Sequence, residues 1–230
     1  MKEVKLSYRV LVVNDGSKDN TANVVARFRK KMPLQIINHR KNLGLSEAIK
    51  TGLTSALKIA SSGDVIVTMD ADNTHTPGLI LRMIRMIQEG SDVVIASRYQ
   101  HDSRIRGVPF FRQIISFWAG FLFRVFFPIK GVRDYTCGYR AYKVEVLKRA
   151  IQYYGKSFFD QPGFSVMVDI LLKMRKLDII VTEAPLILRY DLKHSTSKMK
   201  VLKTIKETFV LLIKRRFLEG YQLDRKKTDV

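Results

Sequence analysis

The sequence predicts an α/β fold with a mostly parallel sheet, on the basis of three features. Short runs rich in β-branched residues alternate with helical patterns, the order typical of parallel strands joined by helices. Glycines fall at the ends of these segments, where helices stop and turns begin. The chain has 230 residues, of which 46% are hydrophobic, enough for one large domain with a substantial core. Such a sheet places its binding sites at the carboxyl ends of its strands.

The sheet is expected mainly in the part of the chain before Arg98. Its predicted strands are the apolar runs Val10–Val13, Leu34–Asn38, Val65–Met69 and Val93–Ala96. The predicted helices between and after them are Thr21–Lys31, Ser46–Ser61 and Pro77–Glu89. The polar segments that follow the strands are therefore the first candidates for a site.

After Arg98 the pattern changes to an aromatic and basic helical region followed by shorter elements. Helices are expected at Val108–Pro128, Lys143–Tyr153, Phe164–Lys176 and Met199–Leu218. A loop is expected at Gly131–Arg140, and strands at Ile179–Thr182 and Pro185–Tyr190. We expect a main domain at 1–195 and an amphipathic, basic C-terminal helix and tail at 196–230.

The charge balance indicates an anionic partner. The chain carries 41 Lys and Arg against 21 Asp and Glu, a formal net charge of +20. Nucleic acid, an acidic lipid surface and a phosphorylated substrate all fit such a charge. The basic residues cluster beside aromatic ones late in the chain, and the sequence contains no recognised nucleic-acid-binding module. Nucleic acid is therefore not expected as the partner.

The cysteine count and the apolar segments predict where the protein works. The one cysteine, Cys137, excludes an internal disulfide and a cysteine-cluster metal site, which suits a reducing cytoplasm. No export signal is recognisable at the N-terminus. The longest uncharged stretch of the aromatic region, Gln113–Phe123, is shorter than the about 20 apolar residues that a bilayer requires. We therefore expect a peripheral protein on the cytoplasmic face of a membrane.

Two carboxylates follow the predicted strand at Val65–Met69. Asp70 and Asp72 stand at alternate positions, so both offer hard oxygen ligands at the edge of the sheet. Mg²⁺ or Mn²⁺ bound there would bridge the carboxylates to a diphosphate and neutralise it as a leaving group. The alternative is a solvated turn that caps the next helix.

A second polar turn follows the first predicted strand. Asp15 could accept hydrogen bonds from a nucleotide base or ribose, with Gly16 and Ser17 forming the turn around it. In the alternative interpretation, the polar side chains of this segment only fix the loop and cap the helix that follows.

A cationic cluster precedes the aromatic region. Arg98, Arg112 and Ser116 are separated by a loop and one helical turn, so together they could hold a phosphate. The aromatic side chains that follow could receive an isoprenoid chain or interfacial lipid. The alternative is a helical hairpin packed on the core, with its aromatic residues buried and its arginines solvated.

Seven short motifs occur in an order and spacing that match a known family. They are Val12–Ser17, Asn42–Gly44, Asp70–His75, Ser97–Tyr99, Arg112–Ser116, Asp134–Arg140 and Ser197–Met199. Together they resemble the family 2 glycosyltransferases, in the branch of the dolichol-phosphate mannose synthases and related polyprenol-phosphate glycosyltransferases. The resemblance implies a Rossmann-like nucleotide-sugar-binding fold with amphipathic acceptor-side helices, a divalent cation, and transfer with inversion at the anomeric carbon.

The same resemblance implies roles for two further residues. Asp134 would contact the donor sugar, or alternatively order its own loop through hydrogen bonds to backbone amides. Lys198 would assist Arg98, Arg112 and Ser116 at the acceptor phosphate.

The chain departs from the family pattern in three places. The family's first strand, with a Pro-x-Tyr-Asn-Glu-like motif, is expected to be missing, which would make 1–195 an N-terminally truncated catalytic domain. Asn14 stands where the family frequently has aspartate, so nucleoside binding would depend more on Asp15. The loop at Lys193–Lys198 is shortened, with a lysine at the position where an arginine is expected.

The expected function is inverting transfer of a hexose, mannose from GDP-mannose, to a polyprenyl phosphate. Asp70, Asp72 and Asp134 would serve catalysis, while Asp15, Gly16, Ser17 and Asp70 would bind the nucleotide sugar. An anionic membrane surface would be the further partner. Two alternatives remain open: a UDP-sugar-dependent enzyme of the same branch, and an inactive truncated fragment that acts as a binding protein.

Overall fold

The computed structural model of the chain describes residues 6–193 and 201–218, and only the backbone at 201–205 and 217–218. The chain divides into two compact units, Met1–Ala60 and Ser61–Val230. The predicted division between 195 and 196 falls outside the described residues and stays a prediction.

The first unit is a β-α-β-α arrangement. Its elements are β1 (Val10–Asn14), α1 (Thr21–Phe28), β2 (Leu34–Asn38) and α2 (Leu45–Ile59). The two strands pair in parallel, with Val10 opposite Leu34 and Asn14 opposite Asn38. Leu53 of α2, 1% exposed, is the buried apolar anchor of this unit. The two predicted strands and the two predicted helices are confirmed, with α1 ending earlier than expected.

The second unit contains the larger sheet and five helices in its described part. Its elements are β3 (Val65–Thr68), α3 (Leu79–Gln88), β4 (Val93–Ser97), β5 (Arg104–Arg106), α4 (Phe110–Phe126), β6 (Arg140–Lys143), α5 (Val144–Tyr154), α6 (Ser165–Met174), β7 (Val181–Pro185), β8 (Ile187–Arg189) and α7 (Val201–Ile213).

The four-stranded sheet of this unit has the order β3-β6-β4-β7. β4 and β7 run parallel, whereas β6 is antiparallel to both of its neighbours. All five residues of β4 are buried, with α3 packed against the strand and β6 and β7 at its two edges. β5 and β8 form a separate parallel pair, with Ile105 opposite Leu188. Three of the five strand pairings in the described chain are parallel, as predicted.

Strand β6 was not predicted, since Gly131–Arg140 was expected to be a loop and a helix was expected from Lys143. Its sequence, Arg-Ala-Tyr-Lys, lacks the β-branched run that signals a strand. Its position depends on burial, because the Arg140 side chain is completely buried and donates hydrogen bonds to the carbonyls of Cys137, Met167 and Tyr135 at 2.6–2.8 Å. Strand β7 begins two residues later than expected, at Val181.

Helix α6 holds buried charges that reach the C-terminal helix. All ten of its residues are buried. Lys173 and Asp169 form an ion pair at 2.6 Å, and Arg215, just beyond α7, donates its Nε to Asp169 at 2.6 Å. These contacts hold the C-terminal end of the predicted amphipathic helix against α6.

Several strands have one edge without a strand partner within the described residues, and β1 and β3 are among them. β1 pairs only with β2, and β3 pairs only with β6. The expectation of a further strand upstream of β1 is not tested by this arrangement and stays a prediction.

Candidate functional site

The carboxylate loop, residues 70–75, follows β3 and contains the two predicted metal ligands. Asn73 adopts a left-handed backbone conformation with φ of 67°, which turns the chain sharply after Asp72. The Thr74 amide and hydroxyl donate to Asp72 Oδ1 at 3.2 and 2.6 Å. Lys193 Nζ donates to Asp72 Oδ2 at 2.6 Å, so both carboxylate oxygens accept hydrogen bonds from the protein.

The two carboxylates have opposite electrostatic environments. Desolvation by the surrounding protein raises the pKa of Asp70, against the lowering effect of His75, although Asp70 as a residue is exposed. Burial also acts against the charge of Asp72, but the hydrogen bonds from Lys193 and Thr74 outweigh it and lower the pKa of Asp72. Burial lowers the pKa of His75, which disfavours the protonated form of its ring.

The chemistry of this loop fits a divalent cation. Asp70 and Asp72 supply carboxylate oxygens, and the ammonium of Lys193 at Asp72 marks a place where positive charge is already stabilised. No cluster of three or more His, Cys, Asp or Glu side chains suited to a metal occurs in the described part of the chain. A cation held there would take its remaining ligands from a substrate diphosphate and water, as Mg²⁺ commonly does.

Arg98 follows β4, and Asp134 lies in the loop between α4 and β6. The two side chains form a bidentate ion pair. Arg98 Nε and Nη2 donate to the two Asp134 oxygens at 2.8 and 2.7 Å, and Asp134 is completely buried. Burial opposes both charges, but the mutual attraction dominates. It lowers the pKa of Asp134 and raises that of Arg98. Arg98 Nη1 is the guanidinium nitrogen left to meet another anion.

Glu183 of β7 positions the loop that carries Asp134. Its Oε1 accepts hydrogen bonds from the backbone amides of Arg133 and Asp134, both at 2.6 Å. Gln100 donates to its Oε2 at 3.0 Å. Asp134 in turn accepts from the Cys137 amide at 3.1 Å. Burial raises the pKa of the Cys137 thiol to about 12, so a nucleophilic thiolate is disfavoured.

A cavity of about 400 Å³ brings the predicted acceptor residues together. One side is polar, and Arg112 Nη1 donates to the Tyr190 hydroxyl at 2.9 Å while the Tyr99 hydroxyl donates to Ser116 at 3.3 Å. The remainder is largely apolar. The cavity is lined by Arg98, Tyr99, Ile105, Val108, Arg112, Gln113, Ile114, Ser116, Phe117, Trp118 and Leu188.

The outer face of α4 exposes much of its apolar surface. Its exposed large apolar residues are Phe110, Phe111, Ile114, Phe117, Trp118, Phe121, Val125 and Phe126. Only Gly120 and Phe123 of this helix are buried. The alternative of a hairpin with buried aromatic residues is therefore wrong for most of the segment. No helix in the described part of the chain combines the length and apolar content needed to cross a membrane.

In the first unit, Asp15 ties two turns together. Its carboxylate accepts from the amides of Leu43 and Gly44, both at 2.8 Å, and lies 2.7 Å from His39 Nδ1. Gly16 has φ of 64°, and a Cβ there would lie 2.4 Å from the backbone of Lys41 and Asn42. Any other residue at Gly16 would disrupt this contact between turns.

Ser17 contributes to this turn through its backbone amide. Ser17 N donates to Asn14 Oδ1 at 3.1 Å, and Asn14 Nδ2 donates to Asn38 Oδ1 at 2.9 Å. Asn14 thus uses both ends of its amide, one as acceptor and one as donor. An aspartate at this position could not donate to Asn38.

The sequence model described as Glycosyl transferase family 2 matches residues 3–150, more than half of the chain. The chain belongs to this family. The match includes β1 to β6, and therefore the Asp15 turn, the carboxylate loop and the Arg98–Asp134 pair.

Relatives of this family 2 glycosyltransferase include proteins named for lipid-phosphate mannose transfer. Dolichol-phosphate mannosyltransferase of Pyrococcus furiosus is 34% identical over 169 residues, which cover 73% of this chain and 45% of that protein. Polyprenol monophosphomannose synthase of Mycolicibacterium smegmatis is 30% identical, with 77% of this chain and 65% of the relative covered. Undecaprenyl-phosphate mannosyltransferase of Micrococcus luteus is 32% identical, with 77% and 70% covered. The chain thus spans less than two thirds of the first two relatives.

Solved structures confirm the predicted fold of the family 2 glycosyltransferase. Glucosyl-3-phosphoglycerate synthase from Mycobacterium tuberculosis, crystallised with Mn²⁺, uridine diphosphate and phosphoglyceric acid, matches with a TM-score of 0.62 at 16% identity. The match covers 90% of this chain and 67% of that one. The same enzyme with uridine diphosphate alone gives a TM-score of 0.61 at 18% identity.

The structure of this family 2 glycosyltransferase brings some predicted site residues together. Arg98, Arg112 and Ser116 line one cavity, and Asp70 and Asp72 share one loop. Asp134 is buried and bonded to Arg98 and to its own loop, which is the alternative arrangement that the sequence left open. Its contact with the donor sugar stays a prediction. Lys198 lies outside the described residues.

Sequence reasoning missed residues that contact the predicted ones from far along the chain. Lys193 meets Asp72, Tyr190 meets Arg112, and Glu183 meets the Asp134 loop. For Lys193, the one available signal was its place in the shortened loop that departs from the family pattern. Nothing local marked Tyr190 or Glu183, because their importance lies in their partners.

Proposed function

We propose that this chain transfers a hexose from a nucleotide sugar to a polyprenyl phosphate, with inversion at the anomeric carbon. The proposed donor is GDP-mannose, the proposed cofactor is Mg²⁺ or Mn²⁺, and the proposed place of work is the cytoplasmic face of a membrane. Membership of the glycosyl transferase family supports the reaction class. The names of three relatives, each a transferase or synthase of lipid-phosphate mannose, support the acceptor class.

One observation carries the proposal: the cavity combines a cationic end with apolar walls. Arg112 and the Nη1 group of Arg98, whose other nitrogens pair with Asp134, form the cationic end, whereas Ile105, Val108 and Leu188 are among the apolar residues. A lipid phosphate has the same division between an anionic head and a hydrocarbon chain. The exposed aromatic face of α4 continues the apolar surface away from the cavity and supports a membrane location.

The acceptor phosphate would be held by direct contacts. Arg112 and Arg98 Nη1 would donate charge-assisted hydrogen bonds, and the Ser116 hydroxyl would donate a third. Asp134 would act as a positioning residue, because it fixes the other two nitrogens of Arg98. We include Lys198 as a further proposed phosphate contact.

Two groups of residues are proposed to contact the donor, one in each unit of the chain. Asp70 and Asp72 would hold the cation, which when bound supplies charge neutralisation at the diphosphate leaving group. Asp15, with Gly16 and Ser17, is the proposed contact for the nucleoside, although its carboxylate also holds the turn at Leu43 and Gly44. No geometry for the bound donor follows from these residues alone.

The acceptor supplies its own nucleophile. An oxygen of the phosphate attacks the anomeric carbon, the bond from that carbon to the diphosphate breaks, and the nucleoside diphosphate leaves with the bonding electrons. A phosphate monoester has a second pKa near 6, so at neutral pH no protein base is required to deprotonate it. The protein then contributes by positioning the phosphate and excluding water, which together can lower the barrier substantially.

A donor panel tests the proposal. The full chain would be incubated with GDP-mannose, UDP-glucose and other nucleotide sugars, a short-chain polyprenyl phosphate, and Mn²⁺ or excess EDTA. Mass spectrometry would detect the glycosylated lipid phosphate, and NMR would give its anomeric configuration. We expect one donor to yield the inverted product with Mn²⁺ and no product with EDTA.

Asp72→Asn tests the proposed role of Asp72 in cation binding. It keeps the shape of the side chain but removes the charge, so we expect loss of turnover with an unchanged melting temperature to within a few degrees. Unchanged turnover in this variant would rule out the metal role of Asp72. Donor binding without transfer from any sugar would instead support a binding protein.

A further inference from the structure

A short segment lies across the carboxylate loop and connects it to the acceptor cavity. This segment, residues 188–193, is called the strap. Leu188 forms a β-bridge with His75, and the Arg189 amide donates to the Thr74 carbonyl at 2.9 Å. The Asn73 side chain approaches the Leu192 carbonyl at 3.4 Å. The strap therefore follows the loop along several consecutive residues.

Lys193, at the end of the strap, forms an ion pair with Asp72. Its ammonium lies 2.6 Å from Asp72 Oδ2, and the two side chains are only 15% and 27% exposed. Asp72 Oδ1 accepts hydrogen bonds from Thr74, so Oδ2 is the oxygen to which a cation would most readily bind. An ammonium and a divalent cation cannot share that oxygen without strong mutual repulsion.

The strap also contacts the acceptor side. Lys193 Nζ lies 5.3 Å from the centre of the Tyr190 ring, within range of a cation–π interaction. The Tyr190 hydroxyl accepts a hydrogen bond from Arg112 Nη1 at 2.9 Å. Three consecutive contacts therefore join Asp72 to Arg112, through Lys193 and Tyr190.

We propose that Lys193 is a resident counter-ion of Asp72 that a divalent cation displaces, and that this displacement changes the Tyr190–Arg112 contact at the acceptor cavity. The proposal rests on the cation role given to Asp72 in the proposed function. Lys193 and Tyr190 are positioning residues in this scheme, because they act through Asp72 and Arg112.

Two consequences follow from the proposed displacement. Removing the ammonium takes away a competitor at Asp72, so the cation should bind more tightly without it. Coupling between two sites is reciprocal in free energy, so occupancy of the acceptor cavity should also alter cation affinity. A lysine with only a structural role would give the opposite first result, since its loss would loosen the loop and weaken cation binding.

Mn²⁺ binding by the substrate-free chain, measured from the loss of the free-ion EPR signal, tests the first consequence. Lys193→Met keeps the length and apolar stem of the side chain but removes its charge. We expect it to bind Mn²⁺ roughly tenfold more tightly than wild type, from the strength of a charge-assisted hydrogen bond. Lys193→Arg keeps the charge and should bind like wild type.

Matched variants separate this result from general effects of charge. Lys50→Met removes a lysine that pairs with Glu47 on the first unit, so it should leave Mn²⁺ affinity unchanged. Asp72→Asn should abolish Mn²⁺ binding. If Asp72→Asn loses binding but Lys193→Met equals wild type or binds more weakly, the counter-ion proposal fails while the cation site stands. If neither wild type nor Lys193→Met binds Mn²⁺, the cation site itself fails.

Trp118 reports on the second consequence without any substrate. It is the one tryptophan of the chain and lines the cavity with Arg112. Mg²⁺, which does not quench fluorescence as Mn²⁺ does, should shift the Trp118 emission of the wild type. Tyr190→Phe lacks the hydroxyl that meets Arg112 but keeps the ring that faces Lys193, so it should still bind Mn²⁺ but lose most of the Mg²⁺-induced shift. An equal shift in Tyr190→Phe would exclude the proposed connection.

Discussion

Asp134 shows how one buried carboxylate can determine what an arginine does. Asp134 is completely buried, and two of the three Arg98 nitrogens are committed to it. A lone buried charge is very costly, so each side chain requires the other. The pair therefore fixes the direction of the guanidinium before any ligand arrives, and Glu183 fixes the loop that carries Asp134.

This arrangement predicts a pH-dependent loss of stability. Because the pKa of Asp134 is lower in the folded chain than in the unfolded chain, its stabilising effect is complete above the unfolded value near 4. The effect is lost as pH falls through the folded pKa. We expect Asp134→Asn to destabilise the protein by about 3 kcal/mol at pH 7 and by progressively less as pH falls below 4.

Denaturant unfolding at several pH values measures this difference. Asp102→Asn, at a side chain that is 78% exposed, is the control and should change stability little at any pH. A difference between wild type and Asp134→Asn that stays constant from pH 7 to pH 3 would show that the charge of Asp134 is not its source.

Arg112 is the residue whose loss should affect the acceptor most directly. A hydrogen bond between charged groups contributes about 1.5–3 kcal/mol, so Arg112→Ala should weaken polyprenyl phosphate binding by roughly tenfold or more. Lysine should restore the affinity only partly, because it lacks the planar guanidinium fork. Nucleotide-sugar affinity should change little. Isothermal titration with a short-chain lipid phosphate and with the donor measures both affinities.

Removal of an arginine from an exposed position elsewhere in the chain is the control for Arg112→Ala. Arg82 is exposed on α3, so Arg82→Ala should leave both affinities unchanged. Should Arg112→Ala weaken donor binding while acceptor binding stays intact, the residue belongs to the donor site instead.

At the scale of elements, α4 is unusual in the direction of its apolar side chains. A helix packed on a core normally buries its apolar stripe, but here Phe110, Phe111 and Trp118 are 77%, 68% and 56% exposed. Helix α7 contacts α4 and also exposes Phe209, Val210 and Ile213. Exposed apolar surface on two contacting helices is typical of proteins that bind another apolar phase.

We expect the exposed aromatic residues of α4 to bind lipid vesicles. Burial of a large apolar side chain contributes about 1.5–3 kcal/mol, so Phe117→Ser combined with Trp118→Ser should weaken vesicle binding more than tenfold. Vesicle sedimentation measures the effect. Leu81→Ser, on α3 at 50% exposure, is the matched control and should bind like wild type. Equal binding of the double variant would show that α4 is not the membrane-binding surface.

At the scale of the whole molecule, the net charge of +20 should act through long-range attraction to anionic surfaces. Each basic residue near an anionic bilayer contributes about 1 kcal/mol, and salt screens this over about 8 Å at physiological ionic strength. We therefore expect binding to vesicles with phosphatidylserine to fall steeply with salt. Binding to neutral vesicles, which depends on apolar contact, should fall much less.

A competition experiment between a random oligonucleotide and anionic vesicles shows whether nucleic acid is the preferred anionic partner. Nucleic acid would also bind a basic protein with strong salt dependence. If the oligonucleotide binds more tightly than the anionic vesicles at the same ionic strength, nucleic acid becomes the better interpretation of the charge.

The local sequence pattern was enough to predict the elements that consist of distinctive apolar runs. The β1, β2 and β4 segments are largely apolar runs rich in β-branched residues, and α4 is a long segment rich in aromatic and other apolar residues. The Asp70 and Asp72 carboxylates could likewise be assigned to a strand end, because parallel strands place their carboxyl ends at one edge. Strand β6 could not be predicted, because Arg140 takes a strand position only when the carbonyls of Cys137, Met167 and Tyr135 surround it.

Fold class, family and the residue types of the candidate site follow from the sequence, since they depend on periodicity and on motifs of a few consecutive residues. Which charged and polar groups meet depends on the folded chain. The ion pair of Lys193 with Asp72 joins residues 121 positions apart, and the hydrogen bond from the Asp134 amide to Glu183 joins residues 49 apart. No local pattern records such contacts, because both kinds depend on distance in space, and only folding brings these groups within 3 Å of each other.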